Sequence, residues 1–175
     1  MFGFETVANA HNSRYVCAMA RPVPAHFDLE RHPFFWLTQV IGSRDRRLTQ
    51  ELRGFGLRVP EWRVLASLCA RRRCSMSELA DLATIDRTTL TRTVDRMEEA
   101  GWVARLNDAN DLRVTPLAPT ASGERLFQRI WPTVERLNRV AVEGLPAGAI
   151  DQLRATLERM KTNLDQDPGA QERAA

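Results

Sequence analysis

Read as a string of apolar and polar positions, the chain spells helices along most of its length. Between Phe34 and Gly54, Leu37, Ile41, Leu48 and Leu52 fall in helical register, with Arg44, Arg46 and Arg47 between them. Pro60 stands at the start of a second run, where its missing N–H costs nothing. Trp62, Leu65, Ala66 and Cys69 give that run its apolar side. Ser75-Met76-Ser77-Glu78 is a capping box: the Ser75 hydroxyl and the Glu78 carboxylate each satisfy a free N–H and so open a third helix, lined by Leu79, Ala80, Leu82 and Ala83. Thr84-Ile85-Asp86 reads as a tight turn, with Asp86 as N-cap of a fourth helix running to Ala100. Leu90, Val94 and Met97 form its dry stripe, and Gly101 is placed to stop it. Further on, Ile130, Val134, Leu137 and Ala141 mark a long helix beginning near Ser122, with Pro132 as a candidate bend. Ile150, Leu153, Leu157, Met160 and Leu164 make a row like the a/d seam of a coiled coil.

Two short helices joined by a tight turn are a helix-turn-helix. The wet side of the second carries Thr88, Thr91, Arg92, Asp95, Arg96 and Glu99. Hydroxyls and guanidinium forks near a helix N-terminus suit the major groove, where they meet base edges and phosphates. After Gly101, Trp102–Arg105 and Leu112–Thr115 are expected to pair as strands around the turn formers Asn107–Asn110. A hairpin directly behind a recognition helix is a wing. Prolines remove ladder donors, so Pro116 and Pro119 are expected to leave the far strand short or splayed.

These elements together resemble the MarR family, the multiple-antibiotic-resistance-type regulators of bacteria. The resemblance rests on Ser77-Glu78-Leu79-Ala80, on Arg96-Met97-Glu98-Glu99-Ala100-Gly101-Trp102-Val103-Ala104-Arg105, on Asp111-Leu112-Arg113 and on Thr120-Ala121-Ser122-Gly123, and extends from Pro33 to Leu164. It implies a mainly α fold with a small β-hairpin wing: a winged helix-turn-helix over residues 59–119, flanked by dimerisation helices at 33–58 and 120–165. Residues 1–32 read as a loosely ordered extension and 166–175 as a disordered tail. The DNA-contacting residues on this reading are Ser77, Thr88, Thr89, Thr91, Arg92 and Arg96. From the wing, Asp111 would buttress Arg113, which would enter the minor groove, where narrow A·T-rich segments attract guanidinium. The expected partners are a pseudo-palindromic DNA duplex, a second copy of the chain and a small-molecule effector, an aromatic acid or acyl-CoA. Its cleft would draw on Phe35, Trp36, Trp62 and Trp131, with Arg44 or Arg63 facing a carboxylate; the competing reading is that these aromatics are core. For the last helix the alternative is packing on its own domain.

Composition bounds the picture. At 175 residues one domain with a long helical interface is expected, mildly basic at a formal net charge of +3, and Lys161 is the only lysine. Yet Ser75 to Arg113 holds five arginines against eight carboxylates, so DNA affinity must come from how charges are sorted onto faces. No stretch reaches the apolar length of a membrane span, and Tyr15–Ala20 is too short for a signal core, which points to the cytoplasm. Met19 is a second candidate for the natural start. Cys17, Cys69 and Cys74 have no metal spacing: Cys69 reads as a small buried hydrophobe, and Cys17 is the thiol closest to where some relatives sense peroxide. His26 and His32 beside Asp28 or Glu30 read as surface residues rather than a metal site. No cofactor is expected, and no nucleophile-base arrangement, phosphate loop or metal signature supports an enzyme. Two alternatives stand beside a ligand-responsive repressor: a thiol-based redox regulator, and a winged helix used only for protein–protein contact.

Overall fold

A computed structural model describes residues 28–106 and 116–167. After a 3-10 turn at Leu29–Arg31 come α1 (Pro33–Arg53), α2 (Val59–Arg71), α3 (Met76–Ala83), α4 (Arg87–Glu99), β1 (Val103–Arg105), β2 (Leu117–Pro119), α5 (Ala121–Ala141) and α6 (Ala149–Asp165). The described residues fall into two units that divide within α1, 28–39 and 40–167. In the first, Phe35 and Trp36 meet edge to face, and the Trp36 indole donates to the Glu30 carbonyl at 2.7 Å.

In the second unit α2 packs against α3, α4, α5 and β2. Leu48, Leu52, Leu65, Leu68, Leu79, Leu90, Met97 and Ile130 are fully buried there. Leu48 and Leu52 of α1, Trp62 and Leu65 of α2, Leu79 and Ala83 of α3, the α4 stripe and Ile130, Val134 and Leu137 of α5 thus fill one core. Each large side chain contributes roughly 1.5–3 kcal/mol of burial. Ile41, Leu82 and the α6 row, all expected on apolar faces, are not buried. One further detail departs from expectation. Ala141 is exposed, so the α5 stripe ends at Leu137. The helix also runs on through Pro132; the carbonyl that loses its donor belongs to exposed Gln128, where water can replace it.

The hairpin is a correction. β1 pairs antiparallel with Leu117–Pro119 rather than with 112–115, in the register Val103↔Pro119, Ala104↔Ala118, Arg105↔Leu117. Leu106 N–H donates to Pro116 O at 2.7 Å and Thr120 N–H to Trp102 O at 3.0 Å. These flanking bonds place Val103 and Pro119 in a non-hydrogen-bonded pair, so the missing proline N–H faces away from β1 and removes no rung. Leu117 is bonded on its other edge to Cys74, N–H to carbonyl in both directions at 3.1 and 2.8 Å. Residues 107–115, with the expected Leu112–Thr115 strand, the wing tip, Asp111 and Arg113, lie outside the described residues, as do Cys17 and His26.

Candidate nucleic-acid interface

The helix-turn-helix is built by its caps. Ser75 Oγ accepts from Glu78 N–H at 3.2 Å, and Glu78 Oε2 accepts from Ser75 N–H at 2.8 Å. Asp86 Oδ1 accepts from Thr89 N–H at 2.9 Å. The Ser75 backbone bond holds the Glu78 carboxyl below the usual range, and the Thr89 bonds do the same for Asp86. Between them Thr84 takes a left-handed conformation (φ 54°) that reverses the chain in three residues. Gly101 adopts φ 71° where α4 ends, as its place in the sequence predicts.

A second constraint fixes α5 behind this unit. Thr120 caps α5 through Gly123 N–H at 3.0 Å, and its own hydroxyl donates to Gly101 O at 2.6 Å. A Cβ on Gly123 would sit 2.1 Å from Trp102 O, so only glycine admits this approach of backbone to backbone.

On α4, Leu90, Thr93, Val94 and Met97 are buried, while Thr88, Thr89, Thr91 and Arg92 are exposed. Ser77 is exposed in the first turn of α3. Thr91 Oγ1 donates to Arg87 O at 2.9 Å, so towards a ligand that hydroxyl can only accept.

Arg96 has partners within the lobe. Its Nη1 lies 2.9 Å from Oε1 of Glu61, which is 3% exposed, and its Nη2 approaches Gly56 O at 3.5 Å. The Glu61 contact is an ion pair by distance rather than an aligned hydrogen bond. Glu61 also accepts from Arg58 N–H at 2.7 Å, which anchors the start of α2. Arg96 therefore ties the recognition helix to the α1–α2 connection while its side chain stays 43% exposed. Sequence reasoning missed Glu61, because a glutamate one residue after Pro60 looks like any first-turn carboxylate.

Four carboxylates of the acid-rich segment are engaged within the lobe. Glu78 and Asp86 serve as caps. Asp95 and Glu98 of α4 both engage Arg105 of β1, Asp95 at 2.7 Å. Hydrogen bonding to Asp95 holds that guanidinium more firmly protonated. Among the described residues Arg87 and Arg92 of α4 have no ion-pair partner.

The expected effector residues fall in both units. Trp62 is buried and stacked on Phe127, centroids 5.4 Å apart. Trp131 also stacks on Phe127, at 5.8 Å, and is 42% exposed. Arg63 and Arg44 both pair with Asp45, at 2.7 and 3.4 Å, so a carboxylate already faces each. Phe35 and Trp36 belong to the other unit. Burial pushes the Cys69 and Cys74 thiols up, which disfavours the reactive thiolate in both. Among the described residues no three His, Cys, Asp or Glu converge on a metal geometry, and no helix is long and apolar enough to cross a membrane.

Comparison with known proteins decides the family. The MarR family model matches residues 57–115. The HTH-type transcriptional repressor IacR of Pseudomonas putida is 31% identical over 144 residues, which cover 82% of this chain and 86% of that protein. The chain belongs to the MarR family. It is a transcriptional regulator and not an enzyme. Among solved MarR-family structures, an E. coli MarR variant complexed with operator DNA superposes with a TM-score of 0.63 at 25% identity, covering 71% of this chain and 90% of that one. CouR of Rhodococcus jostii RHA1, bound to p-coumaroyl-CoA, gives 0.69 at 28% identity, covering 76% and 94%.

Proposed function

We propose that this MarR-family protein is a cytoplasmic repressor that binds a pseudo-palindromic operator as a homodimer and releases it on taking up a small aromatic or CoA-linked acid. The observation that carries the reading is the sorting on α4. One side is buried, and the other offers Thr88, Thr89, Thr91 and Arg92 with the opposing carboxylates Asp95 and Glu98 already paired to Arg105. Ser77 approaches the backbone from α3, and Asp111 and Arg113 serve the wing.

Dimerisation is supported by α6, where none of Ile150, Leu153, Leu157, Met160 and Leu164 is buried by the chain's own fold. The effector class is supported by the p-coumaroyl-CoA bound to CouR and by the aromatic surface at Trp131. Selection of duplexes from a random pool by the full-length protein, followed by footprinting, tests the DNA reading. Two half-sites about 10 base pairs apart, centre to centre, are expected. A single asymmetric half-site, or no protected sequence, would refute it. Thermal melts with phenolic acids and their CoA esters test the effector, because a ligand of the folded state raises the apparent stability.

A further inference from the structure

The three arginines of α4 have three different fates, and one of them is unassigned. Arg96 is held by Glu61. Arg92 lies in the middle of the wet face, opposite the Leu90–Met97 stripe. Arg87, the first residue of the helix, lies on the flank: one helical step of 100° per residue puts it in line with Thr91, at the edge of the buried side rather than opposite it.

On that flank a recess of about 400 Å³ opens between α3 and α4, with Met76 and Leu90 among its lining and Ser77, Arg87 and Thr91 beside them. Arg87 and Ser77 thus face one recess from two helices, both exposed. Arg87 has no carboxylate partner among the described residues.

We infer that Arg87 holds a DNA phosphate together with Ser77, so that the strand running past the α3–α4 recess is gripped from both sides and α4 is seated in register. This rests on the proposed operator binding and adds a residue to it. The flank position decides the chemistry. A base edge is met by the residues that point straight into the groove, whereas a long guanidinium at the rim of the helix reaches the backbone that borders the groove. A serine hydroxyl in the first turn of a helix, beside its free N–H groups, is a complementary phosphate donor. Arg87 therefore contributes affinity and positioning, and Arg92 carries the sequence preference.

The test uses full-length protein, its selected operator and a scrambled duplex of equal length, titrated over salt. Arg87→Ala should weaken binding to both duplexes by the same factor, roughly ten-fold near 0.15 M salt. It should also lower the slope of log affinity against log salt by about one unit, the release of one counterion. Arg87→Lys should restore most of the slope, and Ser77→Ala should weaken both duplexes alike. Equal melting temperatures confirm that the variants fold, as expected for exposed side chains. If Arg87→Ala abolishes preference at one base step and leaves the slope unchanged, Arg87 reads a base and the inference is overturned. If Arg87→Ala binds like wild type, Arg87 touches nothing and the inference again falls, with operator binding intact. A wild type that shows no salt-dependent DNA binding at all would remove the proposed function along with it.

Discussion

In α4, Leu90, Val94 and Met97 stand four and then three residues apart and disappear into the core. In α6, Leu153, Leu157 and Met160 repeat that spacing and none is buried; Leu153 is 49% exposed. The periodicity is the same and the outcome opposite. An apolar stripe states that a helix has a face to cover; it does not state with what. For α4 the cover is α2, α3 and β1 of the same chain. For α6 the described residues bury none of the row and only half-cover Leu157 and Met160, and an apolar row left largely in water is a surface that calls for a partner.

The strongest way to break this comparison is to deny α6 its partner. Leu153→Asp combined with Leu157→Asp should abolish dimerisation and yield monomers or insoluble chains, measured by light scattering. Wild-type protein that is already a folded, DNA-binding monomer would show that the row needs no partner. Next in size, Leu90→Ala should cost about 2–5 kcal/mol at any protein concentration, since its cavity lies wholly within one chain. Leu153→Ala should instead make the melting temperature depend on concentration more steeply than in wild type. Concentration-independent melting of both variants would erase the distinction.

A third effect probes the lobe alone. Gly123→Ala drives a methyl against Trp102 O and should cost roughly 1–3 kcal/mol in chemical denaturation, the range for overpacking. A loss within experimental error would mean that the Trp102 backbone yields.

The smallest effect is acid sensitivity of the caps. Glu78 and Asp86 have carboxyl groups held below the usual range, Glu78 by the Ser75 N–H and hydroxyl and Asp86 by the Thr89 hydroxyl and N–H. Their stabilisation is therefore complete above the unfolded carboxylate pKa, about 4, and drains away as pH falls through the lower folded value. Amide exchange in the first turns of α3 and α4 should accelerate below that point. Asp86→Asn, which keeps a capping oxygen without a charge, should blunt the response in α4 only. An unchanged acid response in Asp86→Asn would remove the cap as its cause.

The helix-turn-helix was legible because its signals are local. A capping box, an N-cap aspartate and a terminating glycine act over four residues or fewer, and each sits where the residue pattern puts it. The site was legible where exposure follows from the same helix period, as for Thr88, Thr91 and Arg92. It was not legible where a side chain chooses among distant partners. Arg96 and Arg92 are indistinguishable in the sequence, and only the approach of Glu61 from α2 separates the anchored one from the free one. Trp62 and Trp131 likewise differ only in what Phe127 and its neighbours cover.

The residue pattern by itself determined the helices, their caps, the fold class and the resemblance to the MarR family, because periodicity and capping are short-range properties of a chain. Tertiary structure alone decided the strand register, since Cys74 and the Leu106 and Thr120 bonds place Leu117–Pro119, and not an earlier segment, beside β1. It also decided which charges are neutralised. Asp95 and Glu98 meet Arg105 only after the chain turns at Gly101, and that pairing takes two of the carboxylates of an acid-rich helix out of play. Pairings of this kind depend on distances between elements, and a linear pattern does not contain those distances.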